Sequence, residues 1–102
     1  MRVSTTRRSE VHGLVVEVSI DSARGDEALK LLNEVVVPAV SSAPGLVAAY
    51  WLGGPDTGKG TSVLIFESED AAQRAAESGP RPPEGAPVTI TRFEVMEVLA
   101  HV

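Results

Sequence analysis

The sequence contains no cysteine. Disulfide scaffolds, thiolate catalysis and cysteine-ligated zinc or iron–sulfur centres are therefore excluded, and a cytoplasmic location is expected. No apolar run approaches the roughly 20 residues of a membrane helix, and no apolar segment follows the first charge, so we expect neither a membrane anchor nor a signal peptide. The two histidines, His12 and His101, lack metal-ligand spacing, so no metal site is expected.

Aromatic residues and positive charge are also scarce. Aromatic side chains make up 4% of the chain, and the net charge at pH 7 is -5. An acidic chain repels phosphate backbones, so we expect no nucleic-acid partner. Three of the nine basic residues, Arg2, Arg7 and Arg8, fall in the first ten positions. We predict a flexible segment over residues 1–10 and a single domain over residues 11–102.

Apolar periodicity and turn residues predict four strands and two helices. The strands are expected at 11–20, 46–52, 61–67 and 88–99, and the helices at about 23–41 and between Ser68 and Gly79. Pro38 is expected to kink the first helix or end it early, since it lacks an amide donor. The order β-α-β-β-α-β predicts a ferredoxin-like α+β fold, in which a four-stranded antiparallel sheet carries two helices on one face.

The other face of this sheet is expected to be apolar as well. Val11 and Val15 point away from the face assigned to the helices, and so do Val63 and Ile65 if Phe66 faces the helices. A single layer does not leave that much apolar surface in water. We therefore expect the chain to pair with a second copy of itself as a homodimer.

Two short motifs connect this arrangement with a known family. Ala43-Pro44-Gly45 joins helix one to strand two, and Phe66-Glu67-Ser68-Glu69-Asp70-Ala71 leads from strand three into helix two. With the element order, they resemble the antibiotic-biosynthesis-monooxygenase-like domains of the dimeric α/β-barrel superfamily. The resemblance implies a homodimer whose sheets close into a barrel, with ligand cavities between sheet and helices. It implies cofactor-free oxidation of aromatic polyketides in some members and haem degradation in others.

The chain departs from both of those activity patterns. Phe66 stands where haem degraders carry a tryptophan, helix two has no histidine, and strand one has no asparagine. The only asparagine, Asn33, lies in the middle of helix one rather than where the polyketide oxygenases use one. The resemblance therefore argues against haem degradation, and we expect no cofactor.

Three residues are candidate catalytic groups. Histidine is a residue type often used for proton transfer, which makes His12 a candidate, although a single histidine without clustered partners is also typical of a structural role. Tyr50 and Trp51 are adjacent on strand two, so they face opposite sides of the sheet. If residue 50 pairs with 64, Tyr50 shares the face of Phe66; if it pairs with 63, Trp51 does. Either ring would suit a flat ligand or ordinary core packing.

Phe66 and Arg92 are candidate ligand-pocket residues. Arg92 is expected on one face of strand four with Glu94, in phase with Ile90 and Met96. An arginine–carboxylate pair there would fix an acidic substrate, or it would be an exposed ion pair of little consequence.

The glycine-rich stretch from Gly53 to Gly60 matches the phosphate-binding pattern G-x-x-x-x-G-K only in part. Gly60 occupies the position where Ser or Thr would bind magnesium. A strand is also predicted next, whereas phosphate binding needs a helix N-terminus. We interpret the stretch as a hairpin loop.

Three functions stay open at this level. The first is a homodimeric monooxygenase-like protein that binds a small apolar or aromatic ligand and carries out cofactor-free oxidation. The second is a non-catalytic ligand-binding or accessory protein of the same fold, and the third is a structural dimer without ligand. An open pocket with convergent polar atoms favours the first, an apolar pocket the second, and no pocket the third.

Overall fold

The computed structural model describes residues 10–54 and 57–102. The predicted flexible segment, 1–10, lies outside the described residues except for Glu10, and so do Pro55 and Asp56 of the glycine-rich loop. Among the described residues, no helix is both long and apolar enough to cross a membrane.

Four strands form one antiparallel sheet in the order β2-β3-β1-β4. The strands are β1 (His12–Ile20), β2 (Leu46–Gly54), β3 (Lys59–Phe66) and β4 (Val88–Glu97). The first strand lies in the middle, between β3 and β4, so that β2 and β4 are the sheet edges. Together with two helices, this topology confirms the predicted ferredoxin-like α+β fold.

The first helix spans residues 22–41 in four consecutive segments. A 3₁₀ turn (Ser22–Arg24) leads into an α-helical segment (Gly25–Leu31), a π-helical segment (Leu32–Val36) and a second α-helical segment (Val37–Ser41). Of the two outcomes expected of Pro38, a kink or an early end, the early end does not occur, because the helix continues to Ser41. The π segment directly before Pro38 bonds the Val37 amide to the Leu32 carbonyl, five residues back, and such a π-bulge accommodates a local break in the regular ladder.

The second helix (Glu69–Ser78) starts at the predicted cap. The Ser68 hydroxyl accepts a hydrogen bond from the Ala71 amide at 3.1 Å, and Glu69 and Asp70 place negative charge at the positive end of the helix. Ala72 and Ala76 are buried on the face toward the sheet. Their small side chains allow the helix to lie close to the strands.

The two sequence motifs meet in space at Gly45. Its backbone has φ +81°, and its carbonyl accepts a hydrogen bond from the Glu67 amide at 2.8 Å. A Cβ atom at position 45 would lie 2.7 Å from the Cβ of Ala71. Glycine is therefore required both by the backbone conformation and by the close approach of the second helix.

The hydrophobic core lies between the sheet and the helices. Its buried members come from strands and helices alike: Leu14, Val40, Leu64, Phe66, Ala72 and Ala76. The opposite side, named the open face, carries Val15 and Val63 as cross-strand partners, with Ile65 two residues along β3. The predicted placement of these three residues away from the helices is confirmed.

Candidate active site

A cavity of about 550 Å³ lies between the sheet and the two helices. Ligand pockets for small molecules commonly enclose about 300–1,000 Å³. Residues of all four strands form the cavity floor, and residues of both helices and of the loop after the second helix form its walls. The cavity therefore occupies the layer in which the fold also places its core.

One row of cross-strand neighbours defines the middle of the floor. Trp51 of β2 pairs with Ser62 of β3, Ser62 with Val16 of β1, and Val16 with Phe93 of β4. All four residues line the cavity. Since β2 and β4 are the edge strands, an aromatic ring stands at each side of the floor, with a hydroxyl and a small apolar group between them. With strands ~4.8 Å apart, the row is roughly 14 Å wide.

The pairing of β2 with β3 determines which of the two adjacent aromatic residues, Tyr50 or Trp51, faces the helices. Tyr50 pairs with Val63, so Trp51 shares the face of Phe66 and lines the cavity. Tyr50 lies on the open face with 59% of its surface exposed. The hairpin register, which the sequence left undecided, therefore assigns only the tryptophan to the cavity.

A bulge in the pairing of β1 with β4 changes the predicted faces of β4. Glu17 pairs with Arg92, but the next residue, Val18, pairs with Ile90, so Thr91 is an extra residue. The prediction that Ile90 lies in phase with Arg92 was wrong, because the bulge inserts one residue between them. Ile90 consequently lines the cavity.

Arg92 lies on the open face and not among the cavity-lining residues. It donates hydrogen bonds to Glu94 at 2.7 and 3.0 Å and to Glu17 at 3.1 Å. The hydrogen bond that Arg92 donates to Glu94, followed by the one it donates to Glu17, raises the pKa of Arg92 above its ordinary value. Because two carboxylates already surround this guanidinium, it is poorly suited to attract an acidic ligand.

His12 is buried, with 6% of its surface exposed. It is the first residue of β1 and lies on the helix-facing side, between Phe66 and Glu97 in the neighbouring strands. Its Nδ1 is 3.3 Å from the Glu10 carbonyl oxygen. His12 does not line the cavity, whereas Phe66 does. The structure thus places Trp51 and Phe66 in the cavity, His12 beyond its end, and Tyr50 and Arg92 on the opposite face.

Few polar groups face this cavity. Its hydroxyls include Ser42 and Ser78, which donate to the Ala39 and Arg74 carbonyls. The Ser62 hydroxyl and the Trp51 indole N–H have no hydrogen-bond partner among the described residues. The described lining contains no Asp, Glu, His or Tyr, and the described residues hold no cluster of three metal-ligating side chains. Two arginines, Arg74 and Arg81, are the charged residues of the lining. Apart from them, the cavity is suited to hold a flat apolar molecule and to donate one or two hydrogen bonds to it.

Solved structures share this architecture over most of their length. The heme-degrader MhuD from Mycobacterium tuberculosis is 21% identical, with 90% of this chain and 98% of that chain covered and a TM-score of 0.64. SnoaB, a cofactor-independent oxygenase from Streptomyces nogalater, is 13% identical over 91% and 97% of the chains, with a TM-score of 0.63. A proposed antibiotic biosynthesis monooxygenase from Bacteroides thetaiotaomicron is 17% identical over 91% of each chain, with a TM-score of 0.61.

This chain has the fold of the antibiotic-biosynthesis-monooxygenase-like proteins. The resemblance noted in the sequence is thereby confirmed at the level of fold. No sequence-family model and no curated protein matches the chain, and identities of this size carry no activity from one member of the fold to another.

Three cavity residues were not singled out from the sequence. Ser62 is in phase with Leu64 and Phe66, so strand alternation alone would have placed its hydroxyl on the helix-facing side. Phe93 also lies on the helix-facing side, but it belongs to β4, where the bulge at Thr91 changes which residues share a face. No sequence signal marked that bulge. Arg81 lies in the proline-rich loop, where no periodicity indicates the direction of a side chain.

Proposed function

We propose that this protein works as a homodimer in which each subunit binds a small, flat, largely apolar ligand. The observation that carries the proposal is the cavity of about 550 Å³ between sheet and helices. Trp51 and Phe93 at the two sides of its floor are suited to pack against aromatic rings, and such ring pairs contribute about 0.5–1.5 kcal/mol beyond area burial. The Ser62 hydroxyl would fix the orientation of the ligand.

Binding is supported better than catalysis by the chemistry of the lining. General acid–base catalysis needs a group that accepts a proton within hydrogen-bond reach of the substrate. The described lining offers no carboxylate, imidazole or phenol for this task. His12, Tyr50 and Trp51 stay the candidate catalytic groups, and only Trp51 among them lines the cavity.

Cofactor-free oxidation is the second candidate function. Its support is the fold shared with SnoaB, which is described as a cofactor-independent oxygenase. In such a reaction the ligand itself supplies the electrons to dioxygen, and the protein supplies a dry site. The heme bound by MhuD is not proposed as a substrate here, because the described lining contains no histidine to ligate its iron.

The open face supports the dimer. Tyr50 and Leu52 of β2 are 59% and 58% exposed, and they share this face with Val63 and Ile65 of β3. Exposed apolar side chains gathered on one sheet face are typical of an interaction surface. A second copy of the same sheet, related by a two-fold axis, would cover them with a surface of the same composition.

The dimer is tested by the molar mass in solution with two matched variants. We expect twice the 10.7 kDa of one chain for the native protein in sedimentation velocity. Leu52→Asp should dissociate the dimer, because it places a charge on the proposed interface. Leu29→Asp should not, because Leu29 is similarly exposed at 51% but lies on the first helix. A native protein that sediments as a monomer would contradict the proposal.

Ligand binding is tested by thermal shift with a panel of flat aromatic compounds, since a ligand that binds only the native state raises the midpoint. Ser62→Leu fills the middle of the cavity floor and should abolish the shift. Gln73→Leu, an exposed position on the second helix outside the lining, should retain it. Oxygen uptake by the same mixtures separates oxidation from binding. If no compound of the panel shifts the native midpoint, the structural-dimer alternative is favoured instead.

A further inference from the structure

The charge of the cavity lining is opposite to the charge of the chain. The sequence has 14 acidic and 9 basic residues. The described lining, however, includes two arginines, Arg74 and Arg81, and no Asp or Glu. Because the charged residues of the described lining are both positive, the site is electrostatically complementary to an anion although the protein as a whole is acidic.

The two arginines differ in whether a carboxylate of the protein already neutralises their charge. Arg74 forms an ion pair with Asp70 at 2.9 Å, and both side chains are 72% exposed. Arg81 has no carboxylate partner among the described residues. Its guanidinium donates one hydrogen bond to the Ala76 carbonyl and lies 4.4 Å from the centroid of the Phe93 ring. Arginine has five N–H donors, so most of those of Arg81 are available to a ligand.

The position of this guanidinium is fixed from two sides. The cation–π contact with the Phe93 ring holds the guanidinium beside the cavity floor. The backbone around Arg81 is also constrained, because Pro80 precedes it and Pro82 and Pro83 follow it. Less conformational freedom is then lost when a ligand binds than with a flexible surface arginine.

We propose that the ligand of this cavity is a flat aromatic carboxylic acid whose carboxylate is bound by Arg81. The inference rests on the proposed ligand-binding function and specifies its substrate class. Phe93 connects the two parts of the site, since one ring both bounds the apolar floor and supports the guanidinium. The planar fork of an arginine matches a carboxylate through two parallel hydrogen bonds. One arginine without a lysine or a second unpaired cation suits a single negative charge better than a phosphate dianion.

The inference is tested with two probes of equal shape, 2-naphthoic acid and its neutral amide, 2-naphthamide. Calorimetric titration of the native protein at constant ionic strength should give about tenfold tighter binding of the acid, the scale of a charge-assisted hydrogen bond at a partly exposed site. Arg81→Gln should reduce acid binding to the level of the amide, and Arg81→Lys should restore part of the difference. Lys30→Gln removes the same charge at an exposed position of the first helix and should keep the preference.

The binding results distinguish the carboxylate inference from the ligand-binding proposal on which it rests. If acid and amide bind equally to the native protein, the carboxylate inference is wrong and the ligand-binding proposal stands. If the acid is preferred but Arg81→Gln keeps that preference, Arg81 is not the recognition group and the inference is overturned. If neither probe binds, both the proposed ligand binding and this inference fall. An unchanged unfolding midpoint of Arg81→Gln in the absence of probe would show that lost binding is not lost folding.

Discussion

Gly45 offers the sharpest test of how the loop before β2 and the second helix are packed. In Gly45→Ala the new Cβ would lie 2.7 Å from the Cβ of Ala71 and 3.3 Å from the Glu67 side chain. The backbone at φ +81° adds a penalty of about 1–2 kcal/mol for a residue with a side chain. Forcing atoms into a packed contact costs a further ~1–3 kcal/mol. Alanine also lowers the conformational entropy of the unfolded chain, and this offsets about 0.4–1 kcal/mol of the loss in unfolding free energy.

Gly85 is the matched control for this substitution. Its φ is almost the same, at +84°, but a Cβ there would meet nothing within 4 Å. Gly85→Ala therefore keeps the backbone penalty and lacks the steric one, so Gly45→Ala should be less stable than Gly85→Ala by about 1–3 kcal/mol. Urea unfolding of both variants at one protein concentration measures this difference. Equal losses of unfolding free energy in the two variants would refute the contact between Gly45 and the second helix.

Two further predictions concern the helix ends. Ser68→Ala removes the hydroxyl that caps the second helix and should lower the unfolding free energy by about 1 kcal/mol, whereas Ser68→Asp should retain most of it; equal losses in both variants would contradict the cap. Glu27 accepts hydrogen bonds from Arg24 at 2.6 and 2.9 Å, which lower the pKa of Glu27 below its ordinary value of 4.5. Its contribution is therefore present above pH 4.5 and lost as the pH falls through the lowered pKa. Glu27→Gln should be slightly less stable than the native protein at pH 7, and urea unfolding in acid should show no difference; a difference unchanged in acid would contradict the pairing.

Most of the fold could be predicted from local sequence because each element has its own pattern. Alternating apolar residues defined the strands, and Ser68 marked the start of the second helix within the range of ordinary boundary error. The first helix was predicted as one element, and it is one. Its π-helical interior was not foreseen, because the response to Pro38 depends on which carbonyls the surrounding structure satisfies.

Much less of the candidate site could be predicted, because its geometry depends on pairing between strands. The sequence left open whether Tyr50 or Trp51 faces the helices, and one residue of register decides that question. The bulge beside Glu17 turned Ile90 toward the cavity and away from the face of Arg92. Neither feature is local, since both require knowledge of the partner strand. The position of the Arg81 side chain could not be predicted either, because side chains in a proline-rich loop do not alternate in direction at regular intervals.

The position of Trp51 allows the most direct measurement of the central claim, that a flat ligand lies on the cavity floor. Trp51 is the only tryptophan of the chain, so its indole N–H gives a single resonance in a ¹H–¹⁵N spectrum. Titration with 2-naphthamide should shift this resonance progressively to saturation, and Ser62→Leu should abolish the shift. If saturating probe perturbs other amides and leaves the indole resonance unmoved, the ligand lies elsewhere and the assignment of the cavity as the binding site is contradicted.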